Sequence, residues 1–156
     1  MESDGDAAQR LVCDLVTTRL PRSYGFDPIR DIQVLCPTKL GPTGTQALNV
    51  ELQNLLNPEQ TGKPQLQSAA RVFRVGDKVM QVRNNYEIIW NRIGGEQGVG
   101  AYNGDIGIVE SINMRDRSMV VRMDDKRLVY PAENLGELEI AYAITVHKVR
   151  AASSRR

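Results

Sequence analysis

The sequence predicts a mixed fold: a partial α/β layer into which a small antiparallel β-barrel is inserted. Three observations carry this expectation. Apolar residues near the N-terminus recur at helical spacing, a short buried-strand pattern lies between two helical segments, and beyond residue 70 the apolar period shortens to that of strands broken by turn dipeptides.

From Ser3 to Leu20, Ala8, Leu11, Val12, Leu15, Val16 and Leu20 fall at steps of three and four, which predicts one apolar helix face. Ser3 or Asp4 can cap its start, and Pro21 is expected to end it. Ile32 to Cys36 is short and almost wholly apolar, the pattern of a strand buried on both faces. The loop from Pro37 to Gly44 leads into a predicted helix over Thr45 to Leu56, with Leu48, Leu52, Leu55 and Leu56 on one side and Asn57-Pro58 stopping it.

From Glu59 to Ala70 the composition turns to Gln, Gly, Pro and Lys and reads as a linker. Five strands are then expected at Val72 to Val75, Lys78 to Val82, Ile106 to Val109, Met119 to Met123 and Lys126 to Tyr130. Turn signals separate them, including Gly76-Asp77, Asn84-Asn85, Asn103-Gly104 and Asp124-Asp125, as in a small barrel. Glu87 to Ala101, rich in glycine, reads as a mobile loop, and Leu138 to Lys148 as a strand returning to the α/β layer. The expected organisation is therefore 1–70 for the α/β part, 71–136 for the barrel, 137–148 for the returning strand and 149–156 for a basic tail.

Composition excludes several classes. Of 156 residues, 41% are hydrophobic and 25% charged, which rules out a disordered tail or a fibre. Apolar runs of about five residues fall far short of the roughly 20 that a membrane helix needs, so no membrane partner is expected. The acidic start lacks a secretory pattern, and a cytoplasmic location is expected. The net charge of +1 excludes a polycation, yet residues 71–92 hold five basic and two acidic side chains, whereas 105–140 hold eight acidic and five basic. Cys13 and Cys36, far apart and without neighbouring ligands, predict buried thiols and no metal site.

Motifs for catalysis are missing: there is no Gly-x-x-x-x-Gly-Lys-Ser/Thr loop, no Gly-x-Ser-x-Gly elbow and no His-Glu-x-x-His. Gly41-Pro-Thr-Gly44 reads first as a capped turn, with backbone amides for an anion as the alternative. Two clusters remain. Thr145 and His147 share a strand face beside Lys148, a combination that can hold phosphate oxygens. Arg83-Asn84-Asn85-Tyr86 offers a cation, two amides and a ring that can meet phosphate, sugar and base, or else forms a turn with an exposed tyrosine. Trp90 is either a core anchor or a stacking residue.

Val75 to Tyr86, Asn103 to Val109 and Ala141-Tyr-Ala-Ile-Thr-Val-His-Lys148 together resemble the C-terminal region of RecD-type superfamily 1 DNA helicases, the exodeoxyribonuclease V α-chain-like family. Ile32 to Thr38 and Leu48 to Pro58 resemble the preceding part of that family, in the same order. The resemblance runs from about Ala8 to Lys148. It implies part of the second RecA-like motor domain, interrupted by a Src-homology-3-like barrel. In such enzymes ATP hydrolysis between two motor domains drives stepping along single-stranded DNA, usually from 5′ to 3′. The resemblance gives Thr145, His147 and Lys148 a place on the strand-binding surface and extends that role to Arg83, Asn84, Asn85 and Tyr86.

The family continues Ser-Gln-Gly-Ser-Glu after His-Lys, whereas here Lys148 is followed by Val149-Arg-Ala-Ala-Ser-Ser-Arg-Arg156. A truncated helicase piece is therefore expected. It would hold no cofactor and hydrolyse no ATP alone, with ATP and magnesium belonging to the parent enzyme, and its partners would be single-stranded DNA and the missing motor domain. A stand-alone barrel adaptor for protein or nucleic acid is the alternative.

Overall fold

A computed structural model describes residues 3–146. They form two compact units: residues 3–58 with 142–146, and residues 59–141. Among the described residues, no helix is long and apolar enough to cross a membrane.

In the first unit, helix α1 (Asp4–Asp14) is capped by the Ser3 side chain, whose oxygen accepts from the Asp6 amide at 3.1 Å. Pro21 does not end the helical run. A π-helical segment, Leu15–Arg19, leads into α2 (Leu20–Tyr24), and Pro21, which has no N–H to offer a preceding carbonyl, follows directly on the wide turn in which the Leu20 amide reaches back five residues to the Leu15 carbonyl. Helix α3 (Thr45–Leu56) has the predicted bounds and buries Leu48 and Leu52, but Leu55 is exposed. Strand β1 (Val34–Cys36) buries Cys36 and exposes Leu35, so the expected burial on both faces is corrected to one. It pairs in parallel with the chain's last described strand, Ala143–Thr145, in the register Val34 to Ala143 and Cys36 to Thr145. Asn49 of α3 grips that strand through both backbone groups of Ala143, donating at 3.0 Å and accepting at 2.8 Å.

The second unit is built from strands β2 (Gln65–Ser68), β3 (Arg71–Arg74), β4 (Lys78–Gln81), β5 (Asn85–Arg92), β6 (Gln97–Ala101), β7 (Ile106–Asn113), β8 (Ser118–Met123) and β9 (Lys126–Tyr130). A 3-10 helix (Ala132–Glu137) and β10 (Leu138–Ile140) follow, and the strand Ala143–Thr145 of the first unit is β11. β2 lies inside the segment expected to be a linker and pairs in a hairpin with β3, which overlaps the strand expected at Val72 to Val75, and the predicted loop at 87–101 is the β5–β6 hairpin. The single strand expected over 137–148 is two: β10 pairs antiparallel with β4, and only β11 joins β1.

The predicted closed barrel is corrected to an open, seven-stranded antiparallel sheet of order β10-β4-β7-β8-β9-β5-β6. Its two edges, β10 and β6, are not paired with each other. The sheet nonetheless curls. In a flat sheet β4 and β5 would lie four strand spacings apart, about 19 Å, but the link from Gln81 to Asn85 spans at most about 14 Å. Curling encloses one core, in which Phe73, Val79, Val121, Tyr130 and Leu138 are fully buried and against which Trp90 packs.

Candidate nucleic-acid interface

The link that forces the curl is the second cluster, Arg83-Asn84-Asn85-Tyr86. Val79 and Gln81 are fully buried at the end of β4, and Ile88 is buried in β5, so the chain between them turns outward at the rim of the core. Arg83, Asn84 and Tyr86 are exposed there, and Asn85 is half-buried.

Each amide of the corner has a defined partner. Asn84 Oδ1 accepts from the Asn103 amide at 2.9 Å, tying the corner to the Tyr102–Asp105 turn. Asn85 Oδ1 accepts from the Glu87 amide at 2.9 Å, which turns its Nδ2 toward the Glu137 carboxylate, 3.0 Å from each oxygen. Tyr86 is 65% exposed and packs T-shaped with Tyr102, with ring centroids 5.9 Å apart. A T-shaped contact occupies at most one face of a ring, so the largely exposed Tyr86 has ring surface available for the stacking that bases make on aromatic side chains.

Glu137 is the buried electrostatic centre beneath the corner. Burial pushes its carboxyl upward, but hydrogen bonds from Asn134, Asn85 and Gln81, with the Arg83 charge, outweigh this and hold it below the usual range. Gln81 passes the network inward, its Oε1 accepting from the Tyr130 hydroxyl at 2.7 Å. Burial, then the charges of Glu137 and Asp105, push the Tyr130 phenol far up, so it stays a neutral donor.

The other predicted cluster is only partly described. Thr145 ends β11 in the first unit, half-buried opposite Cys36. His147 and Lys148 lie outside the described residues. Trp90 is half-buried against the core, with the Lys126 ammonium 4.4 Å and the Arg92 guanidinium 5.4 Å from its ring centroid, the contacts of an anchor. The glycine loop at 41–44 is a capped turn: the first amides of α3, on Thr45 and Gln46, are taken by the carbonyls of Thr38 and Lys39. A side chain at Gly44 would place a Cβ 2.4 Å from the Leu40 carbonyl oxygen, so glycine is required there. Both cysteines are free and buried.

Sequence reading missed Tyr102, Gln81 and Glu137. Only Asn103-Gly104, read as a turn, marked their neighbourhood, because partners separated by up to 56 residues leave no local pattern.

Residues 48–123 match the protein family described as the ATP-dependent RecD-like DNA helicase SH3 domain. Over 119 residues, 76% of its length, the chain is 32% identical to the ATP-dependent RecD2 DNA helicase of Deinococcus radiodurans. It spans 14% of the length of that relative.

Proposed function

From the relation of this chain to RecD-type helicases, we propose that it is a helicase segment whose SH3-like unit contributes a single-stranded DNA surface at the β4–β5 corner. The observation that carries this is the Tyr86 ring, 65% exposed and packed against Tyr102, at the end of a corner that also holds exposed Arg83 and Asn84 and the half-buried Asn85. The ring stacks on a base, the guanidinium meets a phosphate, and the amides meet sugar or base edges. Thr145, His147 and Lys148 supply further contacts from the RecA-like part. Support for that part comes from the parallel pairing of β1 with β11 and from α3 packed on β11. ATP and magnesium act elsewhere in the parent enzyme, since the 156 residues hold no phosphate loop.

The test is binding of a fluorescent single-stranded oligonucleotide across a salt series. Tyr86→Ala should cost about 1–3 kcal/mol at an unchanged salt slope, and Arg83→Ala should lower the slope by about one. Both are repeated in a chain ending at Lys148, to remove the basic residues 150–156. Unchanged affinity in both variants refutes the proposal. The adaptor alternative draws on exposed Ile89 and Val99, which oppose each other across β5 and β6, and on exposed Val129 of β9. Loss of a protein partner rather than of DNA on Ile89→Ser would favour it.

A further inference from the structure

Glu137 is a carboxylate among the buried polar residues with no cation hydrogen-bonded to it in the described network. Its partners are three side-chain amides: Gln81 Nε2 at 2.8 Å on Oε1, Asn134 Nδ2 at 2.8 Å on Oε2, and Asn85 Nδ2 at 3.0 Å on both. A carboxylate accepts at roughly four lone-pair sites, and here all of them face N–H groups. Glu137 also binds through its backbone, its carbonyl accepting from the Val82 amide at 2.9 Å. The residue thus touches the chain at 81, 82 and 85, on both sides of Arg83 and Asn84.

The amides could each present oxygen instead of nitrogen, and the carboxylate decides which. An acceptor-only group fixes the Asn85 side chain with Nδ2 inward, leaving Oδ1 for the Glu87 amide and so holding the first turn of β5 that carries Tyr86. It likewise fixes Gln81, whose Nε2 also donates to the Arg83 carbonyl at 2.9 Å while Oε1 receives Tyr130. Buried networks of this kind specify one arrangement when every member is satisfied, and lose it when one polarity is reversed.

We propose that Glu137 is the positioning residue of the DNA-facing corner: its buried carboxylate sets the amide orientations that present Arg83, Asn84 and Tyr86 to single-stranded DNA. The proposal rests on the nucleic-acid reading of that corner. Glu137 itself touches no nucleotide.

Polarity, more than charge or volume, is the property under test, and a compensating pair isolates it. E137Q keeps the shape but turns one acceptor into a donor facing Asn134 and Asn85. N134D supplies an acceptor at the opposing position, so E137Q/N134D restores the contact between residues 134 and 137 and the net charge, while Asn85 Nδ2 keeps only the side-chain oxygen that E137Q leaves. Affinity for a single-stranded oligonucleotide is measured for the full chain, well below the unfolding midpoint, beside Y86A and R83A. E137Q is expected to weaken binding about three- to tenfold at an unchanged salt slope, as loss of one buried hydrogen bond does. The double variant is expected to bind more tightly than E137Q, recovering the part of the loss that passes through residue 134. If Y86A and R83A bind like the parent, the DNA reading fails. If they weaken binding while E137Q binds like the parent, or the double variant stays as weak as E137Q, the positioning role is overturned. Should E137Q not fold, N134A withdraws one donor and leaves the carboxylate on the others. It then carries the prediction at about two- to threefold, and parent-like binding by it overturns the role.

Discussion

The indole of Trp90 occupies the space beside Gly98: a Cβ added to Gly98 would come within 2.2 Å of the ring carbon Cζ2. The two residues are register partners across β5 and β6, so this edge of the sheet is closed by a large side chain filling the space left by an absent one. Lys126 and Arg92 pack near the same ring, which leaves it little room to move aside. Gly98→Ala should therefore destabilise the fold by about 1–3 kcal/mol through overpacking. Chemical denaturation followed by Trp90 fluorescence measures this, and parent stability in the variant would show that the ring is not held there.

The β2–β3 hairpin turns through Ala69-Ala70, and Ala69 sits at φ 54°, the left-handed region, as an exposed residue. An alanine there pays a steric penalty that glycine does not. Ala69→Gly is expected to raise stability by about 1 kcal/mol, read as a higher thermal midpoint. A lower midpoint would mean that the added freedom of the unfolded chain outweighs the relieved strain.

Acid should act on the unit through Glu137. Its folded pKa lies below the ordinary value of 4.5, so its contribution to stability is complete above about pH 4.5 and is lost as pH falls through the lower folded value. Denaturation midpoints measured from pH 6 downward should fall in that window, and E137Q should remove part of the dependence. An identical pH profile in the variant would place the acid sensitivity elsewhere.

Cys13 and Cys36 should resist a thiol-labelling reagent in the native chain. Burial raises both thiols above their usual value, aided at Cys13 by the Glu51 charge, so little of the reactive thiolate forms. Two equivalents should react only on addition of denaturant, and fast native labelling of Cys36 would show that the sheet of the first unit opens.

Local order was largely readable from the chain. The leucines of Thr45–Leu56 and the stop at Asn57-Pro58 place α3, and Asp124-Asp125 separates β8 from β9, because helix periodicity and turn chemistry act over a few residues. The exposed corner at Arg83 to Tyr86 was also visible, since a cation, two amides and a ring between apolar strands have few other places to go. Pairing and closure were set at longer range. Val34 meets Ala143 across more than a hundred residues, β10 joins β4 instead of continuing into β11, and the glycine-rich stretch becomes a hairpin because Trp90 finds Gly98. The Glu137 network belongs to the same class: its acceptor and its donors are ordinary polar residues in sequence, and only the curled sheet brings them within hydrogen-bond distance while removing the water that would otherwise satisfy them.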